Sequence, residues 1–328
     1  MKAYLLDSFG PPENLRLGEA EKPSPGPGEV LVRVRATSIN PYDWHHMRGE
    51  PVIARFMDKG LGHRPGHPIL GCDVAGEVEA VGPGVTRFRS GDPVYALVPH
   101  GAFAQYVLVA EEHLAAKPQS LTFEQAAAVP MAAVTALVAL RDDARTAAGQ
   151  RILVNGASGG VGTFAVQLGR AFGAEVTGVC SGRNVELVRS IGAAHVIDYT
   201  AQAFTRTARG FDALIDVAGS PSVWAARRVL RPGGGYIVVG GDAGRWVRPV
   251  DHMIGAALMG KLSRQPVAVT AVRIGAASAR DLTELTPLFD SGAVTPVVAR
   301  RYPFTELPDA VRFVEQGHAP GKVVVIVE

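Results

Sequence analysis

Cysteine is nearly absent: there are two in 328 residues, Cys72 and Cys180, far apart in the sequence. That excludes a disulfide framework and any metal site built on several thiolates. Both lie in apolar runs and read as small buried hydrophobes, and a reducing cytoplasm suits them. No apolar run approaches the roughly 18 residues that a membrane span requires. The start, MKAYLLDSFGPPENL, has neither a long apolar core nor a cleavage-like site, so no signal peptide is expected. An excess of charge is missing too. The net charge is +2 and no basic run occurs, which argues against a nucleic-acid partner. Repeats and low-complexity segments are lacking. What remains is 47% hydrophobic and 20% charged, an ordinary globular composition of a length for one large domain or two.

The most informative stretch is Arg151 to Arg183, RILVNGASGGVGTFAVQLGRAFGAEVTGVCSGR. A short apolar run, a glycine-rich turn, a helically spaced segment and a second apolar run predict a βαβ unit. The turn Ala157-Ser158-Gly159-Gly160-Val161-Gly162 is the dinucleotide fingerprint with alanine in its first glycine position. Gly159 admits a pyrophosphate close to the backbone, and Gly162 lets helix and strand pack closely. Free N–H groups at the helix start favour the phosphates. Folds that prefer NAD place an acid about 20 residues beyond the glycines. Here the second run ends in Cys180-Ser181-Gly182-Arg183, with no acid. Ser181 can donate to a 2′-phosphate and Arg183 can pair with it, so the sequence favours NADP(H). The plainer reading of Arg183 is a solvated residue in the first turn of the next helix.

Before this stretch the pattern is many short strands between Gly/Pro turns: Lys2–Leu6, Glu29–Ile39, Ile69–Val81 with an interruption at Gly76, Pro93–Val98, Gly101–Val109 and His113–Ala116. Thr122–Leu140 changes to alanine-rich helical spacing, divided at Pro130. After the βαβ unit, strands are expected at His195–Asp198, Ala213–Ala218, Tyr236–Val239 and Pro266–Ile274, with a helix over Ser222–Leu230. Helices at Ser278–Phe289 and Glu306–Val314 and a strand at Lys322–Val327 follow. Alternating strands and helices argue a doubly wound parallel sheet.

The pieces PGPGEVLVRVRATSINPYD, HPILGCDVAGEVEAVGPGV, NGASGGVGTFAVQLGRAFGA, HVIDY, RPGGGYIVVGG and GKVVVIVE, in this order, span nearly the whole chain. Together they resemble the zinc-independent medium-chain dehydrogenase/reductases of the quinone oxidoreductase branch. The resemblance implies an α/β protein: a Rossmann doubly wound parallel sheet inserted in a β-rich GroES-like catalytic domain. Residues 1–121 completed by 276–328 would form the catalytic domain, and 122–275 the NADP-binding domain. It also implies cofactor contacts at Asn40, Thr135, Gly159, Gly160, Val161, Ser181, Arg183 and Tyr199, with Gly240 near the nicotinamide and Lys322 reaching in from the tail. A homodimer is expected from the same likeness. Tyr199 has a second reading as a partly exposed loop tyrosine.

Zinc-dependent relatives carry a cysteine where Asn40 stands, a His-Glu pair around Cys72-Asp73, and a four-cysteine loop, and this chain lacks those thiolates. His63 and His67 straddle Pro65, and His45 and His46 are neighbours that diverge on any regular element. No metal is expected. Without a Lewis acid the substrate must already be electrophilic, a quinone or an α,β-unsaturated carbonyl, reduced by NADPH. Asn40, Tyr42 and His45 are the candidate catalytic residues, the last two as hydrogen-bond donors. His45 reads equally as structural. Asp43 reads as an acceptor for loop N–H groups. A zinc-independent aldehyde or ketone reductase and a non-catalytic NADPH-binding scaffold or sensor are the other readings. Residues 52–65 and 242–262 are expected to shape the pocket.

Overall fold

The computed structural model describes residues 1–50, 65–219, 222–240, 254–255, 258, 260–262 and 265–328. The chain divides into two units. One comprises Met1–Val134, Arg273–Gly292 and Pro296–Glu328; the other comprises Thr135–Val272 and Ala293–Thr295.

The first unit begins with the antiparallel pair β1 (Lys2–Leu6) and β2 (Leu15–Glu19). The long strand β3 (Glu29–Ile39) follows and is buried throughout its last four residues. It pairs with β4 (Asp73–Val81), which pairs with β5 (Pro93–Leu97); β6 (Tyr106–Ala110) also pairs with β3, and the two-residue β7 (Ala115–Ala116) with β5. The irregularity expected at Gly76 is carried by the partner strand: the register steps past Arg35, between Val34 and Ala36. A Cβ on Gly76 would lie 2.1 Å from the Arg33 carbonyl oxygen, so only glycine lets the strands approach here.

Between β3 and β4 the chain forms helix α1 (Pro41–Arg48). Proline at its first position, Asp43 accepting the Asn40 backbone N–H at 2.8 Å, and Gly49 in the left-handed region delimit it. The expected helices past Leu121 are α2 (Phe123–Ala127), capped by Thr122, and α3 (Pro130–Leu137). Because α2 packs on β3 and β4, the unit boundary falls after Val134 and not after Leu121.

The second unit contains β8 (Arg151–Asn155), α4 (Gly160–Ala171) and β9 (Glu175–Cys180), the βαβ element read from the sequence. Helix α5 (Val185–Ser190), strand β10 (His195–Asp198), α6 (Phe204–Thr207), β11 (Phe211–Asp216), α7 (Val223–Ala226), β12 (Leu230–Val238) and β13 (Val267–Val269) follow. The six strands are parallel, in the order β10-β9-β8-β11-β12-β13. The order reverses between β8 and β11, where open α/β sheets bind ligands. Buried Asp216 accepts from Asn155 Nδ2 at 2.7 Å and from the Tyr236 hydroxyl at 2.6 Å, tying three central strands together. The segment Arg231-Pro232-Gly233-Gly234, read as a helix stop, lies inside β12. The register there jumps from Leu230 to Gly235, so the proline sits in a bulge and costs no ladder bond.

The tail returns to the first unit through α8 (Ala276–Asp290), β14 (Val298–Pro303), α9 (Leu307–Glu315) and β15 (Lys322–Ile326). The Tyr95 hydroxyl donates to the Leu282 carbonyl at 2.7 Å, anchoring α8 to β5. Strand β15 adds antiparallel to the end of β3, with Val323 opposite Ile39. Among the described residues no helix is long and apolar enough to cross a membrane. The expectations for residues 52–64, including His63, and for 242–253 lie outside the described residues.

Candidate functional site

In the first unit the end of β3 and the starts of β15, β4 and α3 converge on one carboxylate. Asp73 is fully buried. Its Oδ2 accepts from Ser38 Oγ at 2.5 Å, Asn40 Nδ2 at 2.8 Å and Lys322 Nζ at 3.1 Å, while Oδ1 accepts from the Met131 backbone N–H at 2.8 Å. Lys322, 4% exposed, also donates to Asn40 Oδ1. Asn40 Nδ2 makes a second contact, to Cys72 Sγ at 3.3 Å. Both amide hydrogens of Asn40 are therefore engaged inside the protein. Asn40 and Lys322, both expected at the cofactor, make these side-chain hydrogen bonds to Asp73 and to each other.

Asp43 lies beside this cluster and is almost wholly buried. Its Oδ2 takes the Asn40 N–H, as expected of a loop-fixing residue; apart from the neighbouring Cys72 thiol, Oδ1 has no hydrogen-bond partner. Burial, reinforced by the nearby Asp73 charge, pushes the Asp43 carboxyl up to about 7. Burial first, then the charges of Asp43 and Asp73, raise the Cys72 thiol well above its ordinary value.

A cavity of about 120 Å³ opens next to Asp43, lined by Phe9, Tyr42, Asp43, His46, His67 and His100 among others. His46, not His45, is the histidine of α1 that reaches it. His46 Nδ1 lies 2.8 Å from the Tyr42 carbonyl. A carbonyl can only accept, so Nδ1 carries the hydrogen and the neutral ring keeps its lone pair on Nε2. The Tyr42 ring packs on the same imidazole, with centroids 4.1 Å apart. The rings of His67 and His100 stack at 3.6 Å. Burial, with the charges of His67 and His46, lowers the pKa of His100. His45 instead donates through Nδ1 to the Glu50 carbonyl at 3.0 Å and stacks on Trp44, and burial lowers its pKa. The sequence missed His46 because α1 was not read as a helix; Tyr42 and His46 share a face only at helical spacing.

In the second unit the turn after β8 presents its backbone. Ala157 is buried and its N–H bonds to Val179. No side chain caps α4 at Gly159, where an added Cβ would meet nothing nearer than the Gly156 carbonyl oxygen at 3.5 Å. A Cβ on Gly162 would sit 2.0 Å from that same oxygen, so this glycine is required for packing. The free N–H groups at Gly160 and Val161 and the open space before them fit the phosphates of a dinucleotide. Gly240 ends close to β11, where a Cβ would lie 2.5 Å from the Val217 carbonyl oxygen. Tyr199 is about half exposed beyond β10, and Thr135 is buried on α3. Asn184, not read from the sequence, donates to Ser158 Oγ at 3.0 Å and to Ser181 Oγ at 3.3 Å. The absence of an acid at the end of β9 needs a correction: β10 brings Asp198 against the same turn. Thr200 and the Gly182 N–H bond to its carboxylate and hold it below the usual carboxylate range.

Two family models match the chain, an alcohol dehydrogenase GroES-like domain over residues 26–119 and a zinc-binding dehydrogenase over 191–325. The mouse mitochondrial NAD(P)H oxidoreductase RTN4IP1 is 35% identical, over 99% of this chain and 89% of its own. A tomato 2-methylene-furan-3-one reductase is 32% identical, over 99% and 79%. The structure of the quinone oxidoreductase from Coxiella burnetii aligns over 100% of this chain and 99% of its own, with a TM-score of 0.85 and 27% identity. The chain belongs to the medium-chain dehydrogenase/reductase family, in its quinone oxidoreductase branch. It is a GroES-like and Rossmann-type oxidoreductase with a nicotinamide cofactor.

The zinc in the second model's description does not fit the residues present. At the family's catalytic zinc positions stand an amide, a thiol with a raised pKa and a carboxylate already paired with an internal ammonium. Zinc requires deprotonated ligands, and Lys322 already supplies the cation. Among the described residues no three His, Cys, Asp or Glu side chains are grouped to hold a metal.

Two tests follow from the cluster. Lys322→Met leaves the Asp73 charge buried without a cation and should destabilise the unit by about 3–5 kcal/mol. Adding Asp73→Asn should recover part of that loss in urea unfolding, and an additive double mutant would contradict the pairing. Asp43 binds its proton more tightly folded than unfolded. Its contribution is therefore present below about pH 4 and lost as pH rises through about 7, with a slope of at most ~1.4 kcal/mol per pH unit. Asp43→Asn should remove that slope from the urea midpoint between about pH 4 and about pH 7, and an unchanged slope would reassign the titration.

Proposed function

We propose that the chain is an NADPH-dependent, metal-free oxidoreductase that reduces a quinone or an α,β-unsaturated carbonyl. The observation that carries this reading is the saturated cluster around Asp73, which leaves no position for a metal-bound substrate oxygen. A saturated ketone or alcohol then has nothing to polarise it strongly, whereas a quinone or enone delocalises the developing charge by itself. The nicotinamide, when bound, supplies the hydride. The chain's own part is to hold the acceptor and shield it. In this reading the cavity beside Tyr42 and His46 receives the acceptor, and the Tyr42 hydroxyl donates to the oxygen on which charge develops. Asn40 and Asp43 position α1 and do not act on substrate. The names of two relatives, a quinone oxidoreductase and a reductase of an exocyclic enone, agree with this substrate class.

The glycine turn, with Ala157, Ser158, Gly159, Gly160, Val161 and Gly162, would hold the pyrophosphate side of the cofactor. Ser181, Arg183 and Tyr199 would meet the adenosine ribose and its 2′-phosphate. Thr135 and Gly240 are proposed nearer the nicotinamide. A homodimer formed across β13, the last strand of its sheet, is supported by exposed Trp224, Leu258, Leu262 and Val269. A monomeric mass by light scattering would remove it.

The direct test measures NADPH oxidation with 1,4-benzoquinone, a simple enone and a saturated aldehyde, before and after exhaustive chelation. Turnover of the first two that survives chelation is expected. Preference for the aldehyde favours the carbonyl reductase reading, and no turnover favours the non-catalytic scaffold. Arg183→Ala should raise the NADPH dissociation constant by about 10–150-fold, the loss of one charge-assisted bond, and leave NADH nearly unchanged. Equal losses for both cofactors would refute the phosphate contact.

A further inference from the structure

Asn184 closes the short turn Gly182–Asn184 and stands immediately before α5. Its amide nitrogen reaches two hydroxyls on different segments: Ser158 in the turn after β8, and Ser181 just beyond β9. We propose that Asn184 is a specificity-determining positioning residue that turns Ser158 and Ser181 into a matched pair of donors for a ribose 2′-phosphate. This rests on the NADPH reading above and adds a residue and a mechanism to it.

A serine hydroxyl has one hydrogen to give and lone pairs to receive. Asn184 Nδ2 donates to both hydroxyl oxygens, so each already accepts and each hydrogen is directed away from the amide. Neither hydroxyl donates to another described group of the chain. Both oxygens lie within 3.3 Å of the same nitrogen, close enough for one tetrahedral anion to accept from the two. The hydroxyls of an unphosphorylated ribose both donate and accept, and gain less from a pair fixed as donors. An ionised phosphate only accepts, and its bonds from such donors are of the stronger charge-assisted kind.

The neighbouring charges make this arrangement necessary. Asp198 sits against Gly182 with its carboxylate engaged by Thr200 and the Gly182 N–H. That takes one backbone donor from the turn and adds a like charge, which the adjoining water screens only in part. An amide at position 184 orients the hydroxyls without adding charge of its own.

The test uses the full chain and measures NADPH and NADH dissociation constants by calorimetry without an acceptor, with thermal unfolding as the control on folding. Asn184→Asp replaces a donor by an anionic acceptor, so both serine hydrogens turn inward. NADPH binding should weaken by about 10-fold or more. NADH should change by no more than about 3-fold and the unfolding midpoint should hold. Asn184→Ala should give a smaller loss in the same direction, and Asn184→Asp combined with Ser158→Ala should lose less than the two separate losses predict. Unaltered NADPH binding in Asn184→Asp would mean that residue 184 accepts from the serines, and overturns the proposal. Equal weakening of both cofactors overturns it too, because that is a structural role. If the unaltered protein binds NADH as tightly as NADPH, or neither, the cofactor reading itself fails before any variant is compared.

Discussion

The buried pair between Lys322 and Asp73 is the constraint on which the first unit depends. A charge pair taken out of water costs more than its attraction returns unless the remaining lone pairs and hydrogens are satisfied. Here Ser38, Asn40 and the Met131 N–H complete the shell of Asp73. That makes the pair selective. Strand side chains alternate faces, so a slip of β15 by one residue would turn Lys322 away and strand the carboxylate. The pair thus fixes where the returning tail adds to β3, although 249 residues separate the partners in sequence. It also fixes Asn40, whose backbone N–H starts α1, and through α1 the positions of Tyr42 and His46.

A lysine in this place differs from a metal in more than charge. An ammonium ion has three hydrogens and no vacant orbital, so it organises acceptors but cannot bind a substrate oxygen as a Lewis acid. It is also covalently part of the chain and cannot exchange. In the metal-free reading the cluster keeps a cation at its centre without the chemistry that a coordinated cation performs. In the proposed reading the task of polarising a substrate passes to hydrogen bonds from the face of α1 that lines the cavity. Such bonds are individually modest, and in that reading they suit acceptors already inclined to take a hydride.

What could be read from the sequence was what a local pattern encodes. β3 and β9 were legible to the residue because apolar periodicity and flanking turns mark both ends. The glycine turn was legible because Gly162 is imposed by a backbone contact. Helix α1 was not, since Tyr42, Trp44, His45, His46 and Arg48 give it no apolar stripe, and its order comes from Asn40 and Gly49 at its ends. β12 was read too short because Pro232-Gly233-Gly234 signals a turn whether the chain stops or bulges there. Asp198 against Gly182, and Asn184 between two serines, could not be read at all. Each joins side chains from separate elements, and only the parallel register of β9 and β10 brings Asp198 to that turn.

The two units handle their polar groups in opposite ways, and this separates support from recognition. Around Asp73 the polar atoms are buried and nearly all engaged with one another, which gives rigidity and leaves little capacity for a ligand. In the second unit the donors at the start of α4 and the hydroxyls of Ser158 and Ser181 are oriented by neighbours but left without acceptors. They are near water, so leaving them open costs little in the free protein. A ligand that supplies acceptors gains directional bonds there without having to reorganise the chain. Asp43 is the exception in the first unit. Its Oδ1 has no partner beyond the Cys72 thiol, and it lines the cavity beside the cluster. Incomplete satisfaction of a buried polar group is costly, and here it falls at the wall that an acceptor would touch.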